Sequence, residues 1–373
     1  MGLLSRRALL LGLPAAGIPG ATLRGRQLPA DARRYLDPLT EREIWRLTPR
    51  SDPHFLPRTY ERFATQRNTF LLVAGRRGDE THAFQVETPS GRLLPTGRLT
   101  QLTQGPGVFG LSLTLAPDER SFFFLQTDSL KQTGLRTLRE REIYRVEEGW
   151  RLAGDLSISV DGRYAALVET RDPLYRLRIV ETLKGKNWLV AEEKTRLYRP
   201  QLRPKRDQVL YSQAGPVRLW LVNLDGKQRQ SIRPVQDSEE IGPEYWTADG
   251  KLLGYAHHAN SGRRKTTART YNPDAREEKV LAPCTQFWGA TGNSDHSAVV
   301  GESRSKAGPN IYVLFPLTER EITVCEHASS RVSEEVEPRP AFSPDSQWIY
   351  FTSDREGVPA VYRAGVADWV EKT

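Results

Sequence analysis

Residues 338–364, PRPAFSPDSQWIYFTSDREGVPAVYRA, decide the fold. Ser343-Pro344-Asp345-Ser346 separates two apolar or aromatic runs, Ala341-Phe342 and Trp348-Ile349-Tyr350-Phe351. A second turn, Asp354-Arg355-Glu356-Gly357, leads into Ala360-Val361-Tyr362. Proline fixes φ and aspartate bonds back to its own backbone, while aromatic and β-branched residues suit a pleated strand. The stretch therefore reads as three strands in hairpin order with no room for a helix. So small a sheet buries no face by itself and needs similar neighbours.

Those neighbours are present. Apolar run, aspartate turn, apolar run recurs around Asp118, Asp161, Asp207, Asp249 and Asp295 before Asp345. The spacing of about 42 to 50 residues is the period of a four-stranded propeller blade, not of a helical solenoid. An earlier unit with a poorer turn, Ala64-Thr65-Gln66-Arg67, brings the number to seven. The expected fold is all-β, a seven-bladed β-propeller of four-stranded antiparallel blades occupying residues 43–373. The last blade has three strands of its own, so Ile44 to Leu47 is expected to supply its outer strand and close the ring, leaving no open edge.

Before this domain, Ser5-Arg6-Arg7-Ala8-Leu9-Leu10 sets two arginines ahead of a short apolar run and small residues, the layout of an export signal with twin-arginine character over residues 1–22. Residues 23–42, rich in Arg, Pro and Ala without steady periodicity, read as a linker. Export implies a periplasmic or secreted protein. No later stretch reaches the roughly 18 apolar residues of a membrane span. The net charge of +8 suits an anionic ligand, but it is scattered along the chain, and an exported protein does not meet nucleic acid. Cys284 and Cys325 are too few for a disulfide framework and read as half-buried strand residues. Residues 260–265 read as a solvated basic hairpin tip.

Thr48-Pro49-Arg50-Ser51-Asp52, Leu102-Thr103-Gln104-Gly105-Pro106-Gly107, Val146-Glu147-Glu148-Gly149-Trp150, Val217-Arg218-Leu219-Trp220 and Phe351-Thr352-Ser353-Asp354 together resemble the oligogalacturonate lyases, seven-bladed propellers of pectin breakdown. The resemblance implies cleavage of short pectic or other uronate oligosaccharides by β-elimination. A proton is taken from the carbon beside a carboxylate, which a manganese ion and an arginine neutralise. In this family three histidines and a glutamine hold the metal, and a further histidine is the base. Leu-Thr-x-Gly and Ser-Pro-Asp also occur in TolB-like propellers, so a non-catalytic binding or interaction scaffold in the cell envelope is the alternative.

The chain departs from the family at its catalytic positions. The family's His-Glu-Phe-Trp, whose histidine is the base, is here Pro243-Glu244-Tyr245-Trp246; Pro-Cys-Ser-His is Pro283-Cys284-Thr285-Gln286; and Gln-x-x-His-x-His-Pro is Glu334-Glu335-Val336-Glu337-Pro338-Arg339-Pro340. Arg218 matches the family's arginine. With base and metal ligands both replaced, the chain is expected to act on or bind such oligosaccharides as a catalytically altered or inactive relative; what remains for catalysis, if active, is Arg218, with Tyr245 or Glu244 as a tuned base, and Arg218, Trp246 and Arg339 are expected to touch substrate. Gln286, Glu334 and Glu337 form an oxygen-only set suited to calcium or magnesium. Arg339 would repel such an ion and pair instead with Glu337 or Glu334. No cofactor is expected unless the altered site still takes a divalent cation. His257 and His258, adjacent in a strand, point to opposite faces, so only one can face the channel. His54, His82, His296 and His327 fall in turns or tips and read as solvated. An acidic oligosaccharide or an envelope protein is the expected partner.

Overall fold

The computed structural model describes residues 23–88, 97–215, 218–232, 239–259 and 266–373, so the leader and the basic tip at residues 260–265 lie outside the described residues. These residues form seven antiparallel sheets, with 3-10 turns as their only helical elements. Four of the sheets carry four strands each in simple meander order.

The turn signature works as read. At Asp118, Asp161, Asp249 and Asp295 the carboxylate accepts a 3.0 Å hydrogen bond from the backbone N–H two residues on. The residue after each, Glu119, Gly162, Gly250 and His296, takes a left-handed φ of 55°, 73°, 70° and 61°. Glycine at 250 is required twice over, because a Cβ there would lie 2.0 Å from the carbonyl oxygen of Pro204 in the preceding blade. The fourth blade differs: its left-handed residue is Lys205, and Asp207 falls beyond the turn closed by Arg206 N–H on Arg203 O at 3.3 Å.

The ring closes where expected. Glu43–Arg46 pairs antiparallel with Ala360–Gly365, placing Ile44 opposite Ala364, Trp45 opposite Arg363 and Arg46 opposite Tyr362. The segment read as a linker is not one. Gln27–Pro29 adds to the outer edge of the first blade and Arg33–Leu36 to the outer edge of the last, giving each of those sheets five strands. Their side chains are mostly exposed, so an outermost strand held by backbone bonds needs no apolar alternation and leaves no periodicity to detect. In the fifth blade the inner strand is split into Glu239–Ile241 and Tyr245–Trp246, both pairing with Leu253–Ala259. Between them Gly242 N–H still bonds Ala256 O at 2.8 Å, and Pro243 and Glu244 interrupt the strand.

Seven buried apolar clusters fill the seven spaces between neighbouring blades. Strand alternation sends Ile44 into the cluster between blades six and seven and Trp45 into the one between seven and one, so the closing strand packs both sides of the seam. Both cysteines are free and fully buried in such spaces, not half-buried. His54, His82 and His327 are buried as well, at 0%, 5% and 1% exposure, and His296 is half-buried against Tyr245, so none is a solvated tip. His54 stands on the inner strand of the first blade and His327 is gripped on both ring nitrogens, constraints that the turn-like sequence around them hides.

Candidate functional site

One mouth of the central channel is walled by a segment no motif announced. After His54–Phe55 the chain does not return directly into the sheet: Leu56 and Phe63 are buried between blades seven and one, and Arg58, Thr59 and Tyr60 between them reach the cavity. The backbone of this segment meets the second blade, with Arg58 N–H on Leu111 O at 3.2 Å and Leu115 N–H on Arg62 O at 2.7 Å. Arg58 then reaches Asp155 of the third blade at 3.3 Å and Glu334 of the last at 3.1 Å. Tyr60 lies beneath the guanidinium of Arg199, 5.1 Å away. Around these residues a cavity of ≈ 180 Å³ is completed by Pro243 and Glu244, by residues 288–291 of the sixth blade's inner strand, by Glu302 and Arg304, and by Glu334, Glu337, Arg339 and Pro340.

The polar groups of this cavity are sorted. Glu244 is 1% exposed and receives Arg199 Nε at 3.3 Å, the Ser212 hydroxyl at 3.3 Å and the Gln201 amide. Burial alone would raise its pKa; Arg199 and Arg218 outweigh that and hold the carboxyl below its ordinary range. Glu334 is taken by Arg58 and Glu337 by Arg331, the latter at 2.7 Å. Glu302 has Arg331 at 3.6 Å, and burial raises its carboxyl to about 7 against that pull. Two guanidiniums have no carboxylate of their own. Arg339 donates to the backbone carbonyls of Glu334 and Leu56, and burial, reinforced by nearby Arg58, lowers it to about 9. Arg304, exposed at the opening, holds its guanidinium carbon 3.5 Å from the centre of the Trp288 ring, and partial desolvation lowers its pKa too. Arg199, Arg331 and Arg339 all hold left-handed φ, at 50°, 55° and 43°, a cost of about 1 kcal/mol or more each, tolerated where surrounding structure fixes the side chain.

The residues named from the sequence are distributed unevenly. Glu244, Glu334, Glu337 and Arg339 line the cavity. Arg218 lies behind it, donating to Ile241 O and lending its charge to Glu244. Tyr245 points away, its hydroxyl 2.8 Å from His296 Nε2 in the packed space between blades five and six, where burial raises its pKa. Trp246 lies under Arg203 at 5.2 Å between blades four and five, also off the cavity. Gln286 is exposed and accepts from the Ser303 hydroxyl at 2.8 Å, apart from the two glutamates it was grouped with. Arg339 pairs with neither Glu334 nor Glu337, because Arg58 and Arg331 reach them first. Of the adjacent histidines, His257 lies 3.1 Å from Glu239, and His258 stacks on Trp288 of the cavity wall. Arg58, Tyr60, Glu302 and Arg304 are the groups the sequence reading missed. For Glu302 the signal was a lone carboxylate in the otherwise small and apolar run Val299–Ser303, opposite Gly289.

These residues do not fit a divalent cation. Among the described residues no group of three or more His, Cys, Asp and Glu side chains gathers as a metal would need. The two glutamates that line the cavity in the ligand motif are each neutralised by arginine, and Arg339, two residues beyond Glu337, lines the same opening.

A closed seven-bladed propeller with an axial pocket of arginines and carboxylates defines a class of ring proteins that take ligands at the channel mouth. Within that class, the oligogalacturonate lyase family model matches residues 22–370, and the chain belongs to this family. It is 24% identical to the oligogalacturonide lyase of Pectobacterium atrosepticum and to the oligogalacturonate lyase of Dickeya dadantii, each over 93% of this chain and 99% of the relative. Among solved structures, an oligogalacturonate lyase in complex with manganese superposes with a TM-score of 0.84 at 26% identity, covering 92% of this chain and 98% of that one. The Vibrio parahaemolyticus oligogalacturonate lyase gives the same values.

Proposed function

We propose that this propeller recognises short uronate oligosaccharides at the axial cavity and does so without a divalent cation, the substrate carboxylate being received by Arg339 and Arg304. The observation that carries this reading is the sorting of charge: Glu244, Glu334 and Glu337 are each engaged by another arginine, while half-buried Arg339 and exposed Arg304 line the cavity with no ion pair to a carboxylate among the described residues. A guanidinium so placed gains most from a planar carboxylate that accepts two parallel bonds. Trp288, whose face is covered by Arg304 and His258, stiffens that side of the opening. Membership of the lyase family supports an acidic oligosaccharide over other carboxylates. The Arg6-Arg7 leader supports action outside the cytoplasm.

Titration calorimetry with digalacturonate in the presence of a chelator tests this. Binding that is lost with a neutral disaccharide of the same size, and weakened roughly tenfold or more in Arg339→Met, is the expected result. Equal affinity for charged and neutral sugars, or no heat with either, would remove the proposal.

A further inference from the structure

Glu302 and Tyr60 face the same cavity as the two unpaired arginines, and the binding reading uses neither. Glu302 stands at the inner end of the sixth blade's second strand, 5% exposed. It packs against the backbone of Gly289, its cross-strand partner, where a Cβ would come within 2.9 Å of Glu302 Oε1 and displace the carboxyl from this position. Arg331 at 3.6 Å holds it loosely, and the charges of Glu337 and Arg304 also act on it. The Tyr60 hydroxyl is buried at the cavity wall with no hydrogen-bond partner in the structure, although its ring is fixed under Arg199. A buried hydroxyl left unbonded is unfavourable, and an oxygen of the bound ligand would satisfy it.

We infer that the chain carries out a metal-free β-elimination on the bound uronate, with Glu302 as the base and Tyr60 as the acid. This rests on the reading of the cavity as a uronate site. Arg339 and Arg304 neutralise the sugar carboxylate, which makes the hydrogen on the adjacent carbon acidic. The Glu302 carboxylate takes that proton; the freed electron pair forms the carbon–carbon double bond; the bond from the next carbon to the glycosidic oxygen breaks. The departing oxygen takes the Tyr60 proton, and the Glu302 proton returns to Tyr60 through water, so no oxidant, reductant or co-reactant is consumed. Burial supports both roles: it places the Glu302 carboxyl near neutrality, where a base is most effective, and raises the tyrosine so that it arrives protonated.

The test uses the full chain with digalacturonate and a chelator, following the ultraviolet absorbance of the unsaturated product, with calorimetric binding in parallel. Product is expected without metal and unchanged by added manganese. Glu302→Gln should slow its formation by roughly 10²- to 10⁴-fold with affinity changed only a few-fold, and Tyr60→Phe should slow it far more than the roughly tenfold or smaller loss of affinity expected from one lost hydrogen bond. Glu302→Asp, which keeps a carboxyl, should recover part of the rate and guards against a folding defect in the amide variant. Binding without product overturns the elimination and leaves the recognition reading standing; no binding sinks both. Product that needs manganese, or an undiminished rate in Glu302→Gln, overturns the roles assigned here.

Discussion

Replacing Arg339 by methionine should weaken ligand binding and stabilise the fold, a pairing expected only of a residue kept for its ligand. The guanidinium is half-buried, touches two carbonyls and no carboxylate, and burial lowers its pKa from the ordinary arginine value to about 9. Taken at face value that shift amounts to roughly 5 kcal/mol against the charged form. Solvent screening and the two carbonyl bonds offset most of it, leaving about 1–2 kcal/mol to be gained by an apolar side chain of similar length. For a chain of this size the gain corresponds to a rise in Tm of about 1–4 °C. The φ of 43° is no easier for methionine than for arginine and cancels from the comparison. The sign with pH is definite. A base whose folded pKa lies below its unfolded value opposes folding while charged, so the methionine advantage is full below about pH 9 and shrinks as pH rises through it. On the binding side, losing a charge-assisted contact of about 1.5–3 kcal/mol raises Kd by roughly ten- to a hundredfold. Melting curves across pH and calorimetry on the same samples measure both. A lower Tm together with unchanged affinity would refute the argument and make Arg339 a structural strut.

The ring seam gives a second expectation. Ile44→Ala removes buried carbons at 0% exposure from the cluster between blades six and seven and should cost about 3 kcal/mol, whereas Leu36→Ala, 66% exposed one strand further out, should cost under about 0.5 kcal/mol; equal denaturation midpoints would contradict the closure. His327 accepts from Ser329 N–H at 3.0 Å and donates to Ser303 O at 3.0 Å, so it must be neutral, and burial lowers it to about 4. Its contribution is present above about pH 6.5 and is lost as pH falls toward 4; an imidazole resonance titrating near its ordinary value in the folded protein would rule this out. Added manganese should leave Tm unchanged within about 1 °C, because Glu334 and Glu337 are already engaged by arginine; a concentration-dependent rise would show a metal site after all.

The ring was legible in the sequence because its grammar is local. An aspartate, a left-handed residue and flanking apolar runs lie within a few positions of each other, and the period of the blades repeats them. Even Ile44 to Arg46 could be assigned across more than 300 residues, since one blade visibly lacked a strand. The outermost strands at 27–29 and 33–36 escaped notice because backbone pairing at an exposed edge demands no side-chain pattern. The cavity was legible only where a motif marked it. Glu334, Glu337 and Arg339 were found as departures from a known pattern and Glu244 as the neighbour of one, but their partners were not. Arg58 meets Glu334 from 276 positions away, and Arg199 meets Glu244 from the neighbouring blade, so nothing in either neighbourhood encodes the pairing. Tyr245 and Trp246 failed for a strand-level reason: next to an axial residue, alternation and the split inner strand sent both side chains into the spaces between blades.

The chemistry of the cavity also bears on whether it is a site in decay. A propeller needed only as a scaffold has no use for charge at its axis, since replacing buried ion pairs by packed apolar residues is commonly neutral or stabilising by about 1–4 kcal/mol. Here Arg58, Arg199 and Arg331 are each matched to a carboxylate that lines the cavity, Arg199 and Arg331 in a backbone conformation that costs energy, and Arg339 and Arg304 are left over at the same opening. Random loss of histidine ligands would not by itself generate that matching. The arrangement is the one expected if a fixed guanidinium had taken over the work of a divalent cation, because its charge demands that surrounding carboxylates be held by other cations so that the incoming carboxylate is the one it binds.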